Sequence, residues 1–111
     1  MPSVVVKSVD REAVRREVRA YARALRAAHP EVERIVWFGS WVHGTPTSGS
    51  DVDLCLVLSH SDKPFRDRIP DYLPFGFPVG LDLFPYTRAE LGRLRTSSPA
   101  WYRTVLDGED L

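Results

Sequence analysis

Apolar residues in the first quarter of the chain fall on one side of a helix. Val14, Val18, Tyr21, Leu25 and Ala28 recur at i, i+4, i+7, i+11 and i+14, the spacing of a single helical face. Asp10 supplies an N-cap oxygen at the start. His29-Pro30 closes the end, because the residue before proline avoids the α region. The pattern predicts a helix over about residues 10–28. The next apolar stretch lacks that period. Ile35, Val36, Trp37 and Phe38 follow one another within Val32–Phe38, a β-branched and aromatic run that reads as a buried strand. Gly39-Ser40 stops it. Trp41 to Gly44 suits the start of a short helix, and residues 45–50, with Pro46 and Gly49, are turn-like.

Alternation with period two returns at Asp51–Leu58. Val52, Leu54, Leu56 and Leu58 share one wholly apolar face, which must be core. Asp51, Asp53, Cys55 and Val57 share the other, so the two acids sit at the rim of a strand otherwise buried on both sides. Residues 59–78 contain Pro64, Pro70, Pro74 and Pro78 and read as a long connection with a short helix or two. Residues 79–84 form a third strand, with Asp82 in mid-strand. Thr87 and Glu90 match a capping box. Leu91 and Leu94 give the helix it opens a buried side, Pro99 breaks it, and a last helix runs over residues 100–106 with Gly108 as C-cap.

These elements predict one domain over residues 1–111: the helix at about 10–28, a core at about 32–84 and C-terminal helices at about 87–107. The fold class is α/β, more narrowly α+β, with a small mixed sheet packed against helices. The two leading strands are joined by about a dozen residues, long enough for a short crossover. Fifteen basic residues balance fifteen acidic ones, so no global field draws nucleic acid or an anionic membrane. The single cysteine, Cys55, excludes an internal disulfide. The run Val4–Val6 is too short for a signal peptide and lacks its charged start. No apolar run approaches the roughly 18 residues a transmembrane helix needs. A cytoplasmic location without membrane contact is expected.

Chemistry concentrates around three aspartates. Asp51 and Asp53 project side by side from a strand, and like charges that close repel unless a cation lies between them. Mg²⁺, an oxygen-binding divalent ion, is the natural occupant. If the third strand pairs alongside, Asp82 joins them, and three carboxylates can serve one or two ions. Two metals about 4 Å apart suit in-line displacement at phosphorus. Gly39-Ser40 precedes a helix start, where free amides and a hydroxyl can hold phosphate oxygens. The bland alternative makes the aspartates turn and edge residues facing water.

Other side chains carry less. Arg11, Arg15, Arg16, Arg19, Arg23 and Arg26 cover the polar side of the first helix and read as a solvated face before they read as a phosphate surface. Trp37, Trp41 and Trp101 read as core or interface, and Cys55 as a small buried hydrophobe. Lys63, Arg66, Arg68 and His60 are either solvated loop charges or reach for a triphosphate.

Gly39-Ser40, ten intervening residues and Asp51-Val52-Asp53 resemble the G-S-x10-D-x-D signature of the DNA polymerase beta-like nucleotidyltransferase superfamily. The stretch Gly39-Ser40-Trp41-Val42-His43-Gly44 through Ser50-Asp51-Val52-Asp53-Leu54 is similar to the minimal nucleotidyltransferase (MNT) proteins, as is the chain length. A chance match to the four fixed residues is expected in about one chain of this length in a thousand. The resemblance runs from about Ile35 onward, weakly including Arg103 to Gly108. It implies a nucleotidyltransferase fold and Asp82 as the third acid. It further implies two Mg²⁺ ions on Asp51, Asp53 and Asp82, ATP as donor, and phosphate contacts at Gly39, Ser40 and position 43. The family commonly carries arginine where His43 stands, within G-S-x-A-R-G, and Val42 replaces its alanine. Histidine is mostly neutral near pH 7, so His43 is either a weaker phosphate contact or an ordinary loop residue.

The resemblance implies transfer of a nucleoside monophosphate, AMP from ATP, to an acceptor hydroxyl. MNT proteins commonly pair with a helical HEPN-domain protein, and adenylylation of that partner silences it in toxin–antitoxin pairs. A HEPN-domain partner and an antitoxin role are therefore expected, with no direct nucleic-acid contact. Two other readings stand beside it: a non-catalytic module that neutralises a partner by occlusion, and a small-molecule nucleotidyltransferase.

Overall fold

The computed structural model describes residues 10–44, 46 and 49–111. The apolar start at Val4–Val6 and half of the turn expected over residues 45–50 lie outside the described residues. The first helix, α1, spans Arg11–Ala28 with the Asp10 side chain accepting from the Ala13 amide at 3.0 Å. Its buried face is Val14, Val18, Ala22 and Leu25. Ala22 thus takes the place expected for Ala28, which is exposed. Strand β1 covers Val32–Phe38, the short helix α2 Ser40–His43, and strand β2 Val52–Leu58. Helix α3 spans Phe65–Tyr72, β3 Leu81–Thr87, α4 Arg88–Ser97, α5 Pro99–Leu106 and β4 Glu109–Asp110.

The sheet order is β3-β2-β1-β4, with β2 and β3 parallel and the other two pairs antiparallel. This corrects two expectations. The link between β1 and β2 is not a crossover: it turns back through α2 and pairs the strands antiparallel. The third strand begins two residues later and ends three later than predicted, so Asp82 stands at its entry rather than mid-strand. Pro85 is accommodated because β3 is an edge strand.

Both faces of the sheet are covered. Val52, Leu54, Leu56 and Leu58 pack with α1, Ile35, Trp37 and Trp41 in one cluster. Val36, Phe38, Cys55 and Val57 pack with α4 and α5 through Leu91 and Val105 in the other. That division is the one the alternation in β2 dictates. Cys55 is wholly buried and its thiol is pushed up to about 12, chiefly by burial. Trp37 and Trp41 are core residues, and Trp101 lies edge-on to Phe38 and Phe84 in the second cluster.

Polar side chains lock this packing from the rim. Arg15 and Arg19 pair with Glu109 at 3.5 and 2.7 Å, and Arg34 grips Asp110 at 2.6 and 3.2 Å. These α1 arginines therefore fasten β4 rather than merely face water. Arg68 is 4% exposed. It donates to both carboxylate oxygens of Glu90 at 2.6 and 2.9 Å and to the Pro85 carbonyl at 2.9 Å. It is a buried structural group, neither a loop charge nor a triphosphate contact. The capping box at Thr87 and Glu90 is formed. The C-cap of α5 is Asp107, not Gly108. Gly108 instead permits close passage of the chain over β1: a Cβ there would lie 2.2 Å from the Trp37 carbonyl oxygen. Among the described residues no helix is long and apolar enough to cross a membrane.

Candidate active site

The three aspartates meet at one end of the sheet, on the face that carries α4 and α5. Asp53 and Asp82 are partners across the β2–β3 pair, and Phe38 is Asp53's partner on β1. Asp51 precedes β2 by one residue, beside the hydrogen bond from the Val52 amide to the Gly80 carbonyl at 2.8 Å. The end of β1 and the starts of β2 and β3 thus share one rim. Side chains at i and i+2 face the same way, which sends Asp51 and Asp53 to the side of Cys55, and Asp82 to the side of Phe84.

Two glycines make room for these carboxylates. A Cβ on Gly39 would lie 2.2 Å from Asp53 Oδ2, and one on Gly80 would lie 2.0 Å from Asp51 Oδ1. Gly39 also has φ of +88°, a conformation that glycine adopts without steric cost. The sequence pattern marked Gly39; it carried no signal for Gly80, whose constraint comes from a residue 29 positions away.

The acids act on one another. Burial first, then Asp82 and Asp51, push Asp53 up to about 6. Asp82 is also held above the ordinary carboxylate range, by loss of surrounding water and then by the charge of Asp51 and a hydrogen bond to it. As the side chains lie, no three His, Cys, Asp or Glu among the described residues are gathered tightly enough to hold an ion. The residues nevertheless fit a divalent cation. Their donors are all carboxylate oxygens, which suit Mg²⁺. A cation would also relieve their mutual repulsion.

Beside the acids lies the Gly39-Ser40 turn. The helical bonds of α2 begin with the amides of Val42 and His43, both donating to the Gly39 carbonyl at 3.0 Å. The amides of Ser40 and Trp41 precede that pattern and donate no bond within the turn. Trp41 is buried and its indole donates to the Ser50 carbonyl at 3.2 Å, tying the turn to the residue before Asp51. His43 lies beside the turn, but its ring is engaged: Nε2 donates to the Asp107 carbonyl and stands 3.8 Å from the Asp107 carboxylate. Gly39, Ser40, His43 and Gly44 line a cleft of about 450 Å³ whose far wall is Thr104 and Asp107 of α5 and its cap.

An α+β domain with an acidic rim against a Gly-Ser turn is the layout of a phosphorus-transfer enzyme. The nucleotidyltransferase domain family matches residues 18–98, most of the chain, and the protein belongs to that family. Its fold resembles the crystal structure of a presumed nucleotidyltransferase from Sulfolobus solfataricus, with a TM-score of 0.57 and 18% identity over 75% of each chain. No curated protein is significantly similar in sequence.

Proposed function

We propose that this nucleotidyltransferase domain uses Mg²⁺ to transfer a nucleoside monophosphate, AMP from ATP, to an acceptor hydroxyl on a HEPN-type partner protein, and so acts as an antitoxin. The observation that carries the catalytic part is the convergence of Asp51, Asp53 and Asp82 on one rim, with Gly39 packed against Asp53.

Asp51, Asp53 and Asp82 would hold the metal. When bound, Mg²⁺ neutralises charge on the triphosphate and steadies the departing pyrophosphate. The Ser40 hydroxyl and the first amides of α2 bind phosphate oxygens that point at the turn. Gly39 lets those oxygens approach the backbone closely. The acceptor oxygen forms a bond to the α-phosphorus as the bond from that phosphorus to the bridging oxygen of pyrophosphate breaks. The acceptor proton passes to an Asp82 carboxylate oxygen, and pyrophosphate leaves with the bridging oxygen.

The test incubates the protein with Mg²⁺, each α-labelled nucleoside triphosphate and the product of the adjacent reading frame. Label should pass from ATP to that partner with wild type and fail with the Asp51→Asn, Asp53→Asn double variant. Equal labelling by that variant sinks the catalytic assignment. Tight partner binding without any labelling, unaffected by loss of the aspartates, would favour occlusion instead.

A further inference from the structure

Asp51 stands one residue before β2, yet its backbone is held on both sides. The peptide link that follows it carries the Val52 amide, which donates to the Gly80 carbonyl at 2.8 Å. The peptide link that precedes it carries the Ser50 carbonyl, which accepts from Trp41 Nε1 at 3.2 Å. A residue has only two soft backbone torsions, and with both flanking planes held, those of Asp51 are set. The direction in which its side chain leaves the chain is set with them.

The indole is a firm anchor. Trp41 is 3% exposed and lies in the cluster under α1 with Val52 and Trp37, whose ring centroid is 6.3 Å away. The acids face the other side of the sheet, where Cys55 packs with α4 and α5. A buried ring on the far side touches neither ion nor substrate, so Trp41 reaches the site only through the backbone of Asp51. It also follows the Gly39-Ser40 turn directly, and Gly39 packs against the Asp53 carboxylate. One side chain thus ties the neighbour of Asp53 to the neighbour of Asp51.

A buried indole N–H usually finds an acceptor for its own sake. Trp37 supplies the contrast: its ring is wholly buried in the same cluster, and its Nε1 has no partner among the described residues. This core tolerates an unbonded indole, so burial alone does not account for the bond from Trp41.

We propose that Trp41 is a positioning residue for the metal site, its indole N–H aiming Asp51 at the ion shared with Asp53 and Asp82. This rests on the metal-dependent reading above and adds the group that directs one of its ligands.

Titration calorimetry with Mg²⁺ alone, on wild type, Trp41→Phe and Trp37→Phe, tests it. Both substitutions trim a buried indole to a smaller ring, and both should lower the thermal midpoint. Only the first removes a bond to the chain beside Asp51. Trp41→Phe should weaken Mg²⁺ binding about tenfold, and Trp37→Phe should leave it unchanged. Unchanged affinity in Trp41→Phe, or equal losses in the two variants, overturns the positioning role and leaves the metal reading intact. The Asp51→Asn, Asp53→Asn variant should bind no Mg²⁺. If it binds as wild type does, or if wild type binds none, the metal reading itself fails and the positioning role falls with it. Wild type gives a second readout that holds even should Trp41→Phe fail to fold. On saturation with Mg²⁺ the NMR resonance of the Trp41 indole N–H should move while that of Trp37 stays; a stationary Trp41 resonance overturns the proposal.

Discussion

Gly80 and Gly39 make the same kind of room by different means. At Gly80 a new Cβ would meet the exposed carboxylate of Asp51, with Oδ1 at 2.0 Å and Cγ at 2.7 Å. Gly80→Ala should therefore cost well under about 1 kcal/mol of stability, as surface changes usually do, yet push the carboxylate aside. We expect its Mg²⁺ affinity, read by calorimetry, to fall about 10–100-fold, as for other groups that orient a ligand. Gly39→Ala meets Asp53 and a positive φ together, so it should lose about 1–2 kcal/mol in addition. A Gly80→Ala variant with unaltered Mg²⁺ affinity would show that Asp51 does not need its place. Asp53 provides a check with the opposite sign. Its carboxyl is pushed from 3.8 up to about 6, so between those values the native state keeps a proton that the unfolded chain has released. Stability therefore falls as pH rises through that window and stays lower above it. In metal-free buffer at pH 8, Asp53→Asn should raise the thermal midpoint, by the equivalent of about 1–3 kcal/mol. It should also abolish the stabilisation that Mg²⁺ gives wild type. A lowered midpoint at pH 8 would mean that the acids are not in conflict.

At the scale of the element, the Arg68–Glu90 pair joins α3 to the start of α4 across the end of β3. Glu90 caps α4 through the Thr87 amide at 2.9 Å and takes both guanidinium bonds. Arg68 and then the Thr87 bonds hold its carboxyl at about 2, against an ordinary 4.5. Its stabilising effect is complete above about pH 4.5 and drains away as pH falls toward 2. Arg68→Ala leaves Glu90 without its partner and frees the Pro85 carbonyl, which should cost about 3–5 kcal/mol in urea unfolding at pH 7. Because Glu90 then titrates close to its ordinary value, the variant should lose less further stability than wild type between pH 4.5 and 2. Parallel profiles for the two proteins would place the acid sensitivity elsewhere. None of this pairing was legible in the sequence. The Thr87-Glu90 box is local, three residues apart, and was visible; the arginine that completes it comes from 22 residues upstream.

The same divide between local and distant causes runs through the whole molecule. Helix α1, strands β1 and β2 and the rim position of Asp51 and Asp53 follow from short-range periodicity and were readable. The antiparallel pairing of β1 with β2 was not, because a connection of that length serves a return as well as a crossover. Strand β4 was invisible, since Glu109-Asp110 has no apolar pattern; only its pairing with Trp37 and Val36 makes it a strand. That edge ties the N-terminal helix to the sheet. Arg15 and Arg19 reach Glu109, Arg34 reaches Asp110, Arg26 donates to the Leu111 carbonyl, and the Leu111 amide donates to the Ile35 carbonyl at 2.9 Å. Exposed ion pairs contribute about 0–1 kcal/mol each and weaken with salt, whereas uncovering Trp37 and the β1 edge removes backbone bonds that salt does not screen. Glu109→Ala with Asp110→Ala should therefore cost about 1–2 kcal/mol at low ionic strength, shrinking in 0.5 M NaCl (about 4 Å of screening length). Truncation after Gly108 should cost more and keep its cost in salt. Denaturant unfolding of both variants at the two ionic strengths decides the matter. If truncation costs no more than the double substitution, the charges rather than the strand hold α1 to the sheet.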